Sequence, residues 1–358
     1  MKLPPLKLGE LKASIPIIQG GMGIGVSRSR LAAAVANEGG IGVISGVQIG
    51  FQEDDFETNN GEANIRALRK EIRKAKELSP HGIIGLNLLV AMSNYKEMAK
   101  AAVEENINII ISGAGLPTEL PLLVKGSNTK IAPIVSSGRA ISVICKLWDK
   151  KHGVIPDLII VEGPEAGGHL GFSVEQLSSD PKIILEDLVS EVLEAIKPFE
   201  EKYKTTIPVV AAGGIYTGED IAKYMKLGAA AVQMATRFIA TEECDADIRF
   251  KEAVINSTQK DIQLVKSPVG LPGRAVRNEL VKKLELGNIS VKRCYNCLKP
   301  CNPGTTPYCI SKALIEAVKG NISEGLIFTG SNAYRMNKIT TVKDLIEELI
   351  TEAESLYL

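Results

Sequence analysis

Three histidines occur in this 358-residue chain, and one of them, His169, stands where proton transfer is plausible chemistry. It falls in the run Glu162-Gly163-Pro164-Glu165-Ala166-Gly167-Gly168-His169-Leu170-Gly171, directly after an apolar stretch with strand character. An imidazole at a strand end can act as a base near neutral pH, and paired glycines let a ligand approach the backbone beside it. The plainer reading is a loop histidine satisfied by its neighbours. His81 and His152 lie in polar helix-to-strand connections and read as surface residues.

A second group of residues suits an anion. Ala211-Ala212-Gly213-Gly214-Ile215 ends one apolar run, and Gln233-Met234-Ala235-Thr236-Arg237-Phe238 ends the next. Side-chain-free turns expose backbone N–H groups, a following helix N-terminus adds partial positive charge, and Thr236 adds a hydroxyl. Together they make a phosphate signal; separately, each is an ordinary turn at a barrel rim. The opening loop Gln19-Gly20-Gly21-Met22-Gly23-Ile24-Gly25, with Ser27 as the expected N-cap of a helix over 28–38, allows a flat ligand close approach. It lacks G-x-G-x-x-G spacing, so no dinucleotide fingerprint is read there. Asn87 and Ser136-Ser137-Gly138 stand at two further strand ends.

The third group is Cys294, Cys297, Cys301 and Cys309, spaced C-x2-C-x3-C-x7-C, while Cys145 and Cys244 stand alone. Four clustered thiols suit a [4Fe–4S] cluster, tetrahedral zinc, or reduced structural or redox thiols.

The elements that must position these residues follow from periodicity. Apolar, β-branched runs at 15–19, 41–45, 83–89, 107–112, 131–136, 157–162, 207–212 and 229–235 read as strands buried on both faces. Amphipathic helical patterns lie between them, as at 61–78, 94–105, 138–151, 183–203 and 218–227. Eight β-then-α units predict an α/β fold of the (β/α)8 TIM-barrel class, against an open doubly wound sheet. The rhythm breaks over 242–330, and an apolar stripe at Val342, Leu345, Ile346, Leu349 and Ile350 marks a final helix over 341–356. The expected organisation is a barrel from 1–241 and 331–358, with 242–330 inserted between strand eight and the last helix. Within it, Lys266 to Leu280 (KSPVGLPGRAVRNEL) either borders the substrate entrance or forms a solvated loop and helix.

Lys plus Arg balance Asp plus Glu at 42 each, so no electrostatic drive toward nucleic acid or an anionic membrane is expected. No apolar run reaches the ~20 residues of a membrane span, and the start does not read as a signal peptide. A cytoplasmic location is the expectation.

These segments resemble the nitronate monooxygenase family, formerly 2-nitropropane dioxygenases, which includes the flavin-dependent enoyl-acyl-carrier-protein reductase II enzymes. EGPEAGGHLGF is similar to its Q-G-x-E-A-G-G-H block, IPVVAAGGI and AAAVQMATRF to its paired phosphate segments, and IPIIQGGMGIGVS and LAAAVANEGGIGVIS to its opening strands. The likeness covers 13–240 and resumes near Gly330-Ser331-Asn332-Ala333. It implies FMN as cofactor, His169 as catalytic histidine, Gly21, Met22 and Gly23 lining the flavin, and Asn87 in contact with it. Gly167, Gly213, Gly214, Gln233, Met234, Ala235 and Thr236 match FMN-binding positions. Glu162 stands where the family has glutamine, placing a carboxylate near the flavin, and Ala235 where it has glycine. The cysteine cluster is outside the family's core pattern, although C-x2-C-x3-C resembles the cluster loop of dienoyl-reductase flavoenzymes.

The resemblance implies an FMN-dependent oxidoreductase, first a nitronate monooxygenase using O2, second an NAD(P)H-dependent enoyl-thioester reductase. A non-enzymatic flavin or cluster protein is the remaining class. Expected partners are a small-molecule substrate (nitronate or enoyl thioester), NAD(P)H in the second reading, and a second copy of the chain in a homodimer.

Overall fold

The computed structural model describes residues 2–357. A hairpin, β1 (Leu6–Leu8) with β2 (Leu11–Ala13), precedes the barrel. It buries Leu6, Leu8 and Ala13 with barrel-floor residues such as Ile41, Ile83 and Leu158. The barrel strands are β3 (Ile17–Gln19), β4 (Ile41–Ser45), β5 (Ile83–Leu89), β6 (Ile109–Gly113), β7 (Lys130–Val135), β8 (Ile159–Glu162), β10 (Val209–Ala212) and β11 (Ala231–Met234). All are paired in parallel and in sequence order, and β11 closes on β3. The fold is thus the TIM barrel expected from the eight apolar runs.

The helices follow the strands: α1 (Ser29–Asn37), α2 (Asn60–Leu78), α3 (Tyr95–Glu104), α4 (Leu120–Leu123), α5 (Gly138–His152), α6 (Val174–Leu177), α7 (Leu185–Tyr203) and α8 (Gly218–Lys226). The strands bury both faces, one filling the barrel and one meeting helices, so nearly every strand residue is buried. Helix α1 is not capped by Ser27. Its free N–H groups are taken by distant carboxylates: Arg28 and Leu31 donate to Asp245, and Ser29 to Glu71. Helix α8 caps itself, with a reciprocal Thr217–Asp220 box.

After β11 come α9 (Thr236–Ile239), α10 (Ile248–Ile255), strands β12 (Ile262–Val265) and β13 (Gly273–Val276), α11 (Glu279–Leu286), α12 (Ile310–Val318) and finally α13 (Val342–Leu356). α13 packs beside α8 and α1 as a barrel helix. Strand β13 pairs antiparallel with both β12 and a two-residue strand, β9 (Gly168–His169). Residues after β11 therefore reach across to the histidine segment. His81 is exposed, whereas His152 is partly buried at the end of α5 and bonds to the Thr118 carbonyl at 3.0 Å. Burying that ring end makes His152 a fastener of the loop after β6 rather than a surface residue.

Candidate active site

One cavity of about 420 Å³ opens at the C-terminal ends of the strands. It gathers what the sequence scatters over more than 200 positions: Gly21, Met22 and Gly23, then Asn87, Glu162, Gly167 and His169, then Gly213 and Gly214, then Gln233, Met234, Ala235 and Thr236. Barrel closure makes this inevitable, because all eight parallel strands end on one face.

Close packing explains several glycines. A Cβ on Gly21 would sit 2.4 Å from Asn87 Cβ, so the first loop lies directly on the end of β5. Gly213 and Gly214 have φ of +91° and +93°, a region that side chains disfavour. A Cβ on Gly214 would also meet Glu165, and one on Gly330 would meet Thr236 Oγ1 at 2.8 Å. The Gly330 amide donates to that same Thr236 oxygen at 3.0 Å, and Asn332 donates to the Gly214 carbonyl at 2.7 Å. Thr329, which lines the same rim, keeps a buried hydroxyl with no partner among the described residues. An orphaned buried hydroxyl is costly, so a donor or acceptor left idle beside a cradle of glycine amides fits a bound phosphate or polyol.

His169 Nε2 lies 2.7 Å from Ser267 Oγ, and its ring meets the Phe328 ring edge-on with centroids 5.1 Å apart. Burial pushes its pKa down to about 4, so the imidazole is neutral at physiological pH. Glu162, at the end of β8, is pushed up by burial to about 7. Arg274 on β13 donates to the Pro164 and Ala166 carbonyls at 2.7 and 2.5 Å, stapling the loop that carries His169.

Ser267, Arg274, Phe328 and Thr329 escaped the reading of the sequence. KSPVGLPGRAVRNEL hinted at the first two only, and it borders the cavity: Leu271 lines it and Ser267 holds the histidine. Ser136 and Ser137 have local partners, Ser136 donating to the Gly171 carbonyl and Ser137 capping α5.

Of the three readings of the cysteine cluster, the two with metal find no support. Among the described residues no three His, Cys, Asp or Glu side chains group so as to hold a metal ion. The structure does not support the [4Fe–4S] or zinc reading, and all six cysteines are free. The segment folds for other ends. Cys294 is exposed and accepts from the Asn296 amide, Cys297 faces the cavity and bonds with Ser311, and Cys309 precedes α12. Main-chain bonds from Ser93 to the Cys297 carbonyl and from Lys299 to the Ala91 carbonyl fasten the segment to the loop after β5.

No helix among the described residues is long and apolar enough to cross a membrane. The fold is a TIM barrel with a cavity at the strand C-termini, where such barrels carry their chemistry. More particularly, the chain belongs to the nitronate monooxygenase family, whose model matches residues 5–352 and so runs through the cysteine segment as well. A probable nitronate monooxygenase of Staphylococcus aureus (strain Newman) is 26% identical over 298 residues, covering 76% of this chain and 78% of that protein. Among solved structures, FabK from Thermotoga maritima superposes with a TM-score of 0.73 at 27% identity, over 95% of this chain and 93% of that one. Nitroalkane oxidase from Streptomyces ansochromogenes shares the fold, with a TM-score of 0.72 at 22% identity over 96% of both chains.

Proposed function

We propose that this protein is an FMN-dependent nitronate monooxygenase, with His169 as the base when a neutral nitroalkane is the substrate. The observation that carries this reading is a buried imidazole in the wall of the cavity that also gathers Asn87 and the Gly213-Gly214 turn. Gly213, Gly214, Thr236 and Thr329 would hold the FMN phosphate end, with Gly167 and Gln233 through Ala235 beside it. Gly21, Met22, Gly23 and Asn87 would face the ring. Bound FMN would supply the two-electron acceptor that O2 then reoxidises.

The protein's own contribution is proton and charge management. A buried imidazole below its ordinary pKa stays unprotonated, ready to accept the proton beside the nitro group. Glu162 would oppose an anionic substrate if ionised, but burial favours its neutral form up to about pH 7. The surrounding apolar wall excludes water and strengthens the remaining polar contacts.

One observation favours a second reading, an NAD(P)H-dependent enoyl-thioester reductase. Phe250, Leu271, Leu298, Leu314, Leu326 and Phe328 give the cavity an apolar side suited to an acyl chain. Anaerobic mixing of the FMN-loaded protein with propionate 3-nitronate distinguishes the two. Bleaching of the flavin is expected; a spectrum that stays oxidised rejects nitronate chemistry. Rapid bleaching by NADH or NADPH, reversed by an enoyl thioester, establishes the reductase instead.

A further inference from the structure

The charge of the cavity lining is one-sided. Among the described residues no lysine or arginine side chain lines it, whereas two carboxyls, Glu162 and Glu165, do. Two guanidinium groups on adjoining backbone are committed elsewhere. Arg274 donates to the Pro164 and Ala166 carbonyls, and Arg237 pairs with Glu348 at 2.8 Å.

Strand alternation sets where Glu162 points. Leu158 and Ile160 are buried in the barrel's inner layer, while Ile159 and Val161 belong to the layer shared with the helices. Glu162 continues the inner series at the top of β8. In register beside it stand Ala212 and, one strand further, Gln233. Ala212 carries only a methyl group, so nothing on β10 shields the carboxyl. No donor among the described residues bonds to it.

An alkyl nitronate brings one negative charge, at its reacting end. A carboxylate at the other end brings a second into a cavity with an apolar wall. Taking that charge out of water is costly unless a cation meets it, and ionised Glu162 repels it as well. An uncharged tail has no such cost and gains by burial against Leu298, Leu314 and Leu326.

We infer that the cavity selects against substrates bearing a second negative charge, with Glu162 as the specificity-determining residue. This rests on the cavity being the nitronate site proposed above. Propionate 3-nitronate in excess still reduces the flavin. Its carboxylate takes no part in the reaction, so the charge raises KM and leaves kcat largely alone.

The test compares propionate 3-nitronate with butyl 1-nitronate at pH 8, using the FMN-loaded protein. There Glu162, raised to about 7, is ionised, and His169, pushed down to about 4, is neutral. Burial pushes the Cys297 thiol up, so it adds no charge. The butyl anion is expected to have the lower KM by about ten- to a hundredfold, the span of like-charge repulsion over ~6–12 Å at a protein-like dielectric. E162Q keeps the shape and removes the charge. It should shrink that ratio about tenfold, through the KM of propionate 3-nitronate. L271K adds a cation at an exposed lip of the cavity and should lower the same KM. Succinate and succinamate, redox-inert and one charge apart, repeat the comparison at equilibrium through the shift they cause in flavin absorbance. Equal KM values in wild type, or a ratio that E162Q leaves unchanged, overturns the inference. If neither nitronate reduces the flavin, the nitronate reading fails, and the succinate pair still decides the selection. Succinamate binding at least about tenfold tighter, with the gap narrowed in E162Q, supports it, and equal affinities refute it.

Discussion

Replacing Gly167 with alanine probes the cradle at its tightest point. The new Cβ would lie 2.4 Å from the Thr329 carbonyl carbon and 2.6 Å from the Gly330 nitrogen, both backbone atoms that no rotamer change can move. Ordinary contact begins at 3.4 Å, so the 165–168 and 329–330 segments must separate by 3.4 − 2.4 = 1.0 Å. Overpacking of that kind costs ~1–3 kcal/mol. A shift that size also stretches the 3.0 Å bond from the Gly330 amide to Thr236, adding about 1 kcal/mol. The expected loss is roughly 2–4 kcal/mol in urea unfolding. FMN affinity should weaken at least about tenfold, since 1.4 kcal/mol suffices for that. Flavin fluorescence quenching measures the Kd. Gly61, exposed near the start of α2 with nothing within 4 Å of a built Cβ, is the control. G61A should change stability by no more than about 1 kcal/mol, upward, and leave FMN binding alone. If G167A bound FMN with wild-type affinity and unfolded at the same urea concentration, the steric account of the rim would be wrong.

Three further outcomes are expected. His169, pushed down from 6.5 to about 4, stays neutral in the folded protein while the unfolded chain takes up a proton below pH 6.5. Folding stability should therefore fall as pH drops from 6.5 toward 4, less steeply in H169N; equal slopes in urea melts would argue against burial of the ring. Glu162, raised to about 7, ionises in the range where turnover is measured, so nitronate oxidation should slow as pH rises through 7 in wild type and not in E162Q. A shared pH profile would remove Glu162 from the account. Alkylation of the native protein should reach exposed Cys294 first, with Cys145 and Cys244, both fully buried and with thiols pushed up to about 12 and about 11, reacting only on unfolding. Uniform reactivity of all six, followed by mass spectrometry, would contradict the packing.

The barrel was legible residue by residue. Eight doubly buried strands are written as continuous apolar runs, and the observed bounds differ from those runs by a residue or two because strand ends fray into turns. The Gly213-Gly214 turn after β10, the Ala235-Thr236 turn after β11 and the histidine after β8 were equally legible, since parallel closure sends every strand end to one mouth. Short α4 was not seen; four residues carry no periodicity. Ser27 as a cap was a local inference defeated by Asp245 and Glu71, carboxylates from elsewhere in the chain that reach the same amides first.

By its own pattern of apolar runs and punctuating glycines, the chain determined a closed barrel with a glycine turn at its rim and an imidazole on the same face. Only the folded chain decided what surrounds that imidazole. Ser267 and Phe328 lie 98 and 159 residues from His169, on an insertion whose return path no periodicity encodes. Spacing likewise suggested a metal at the four cysteines, and the described residues show no group of three side chains arranged to hold one. Local propensity acts over a few residues, whereas burial and side-chain partners are set by contacts that exist only after the chain has closed on itself.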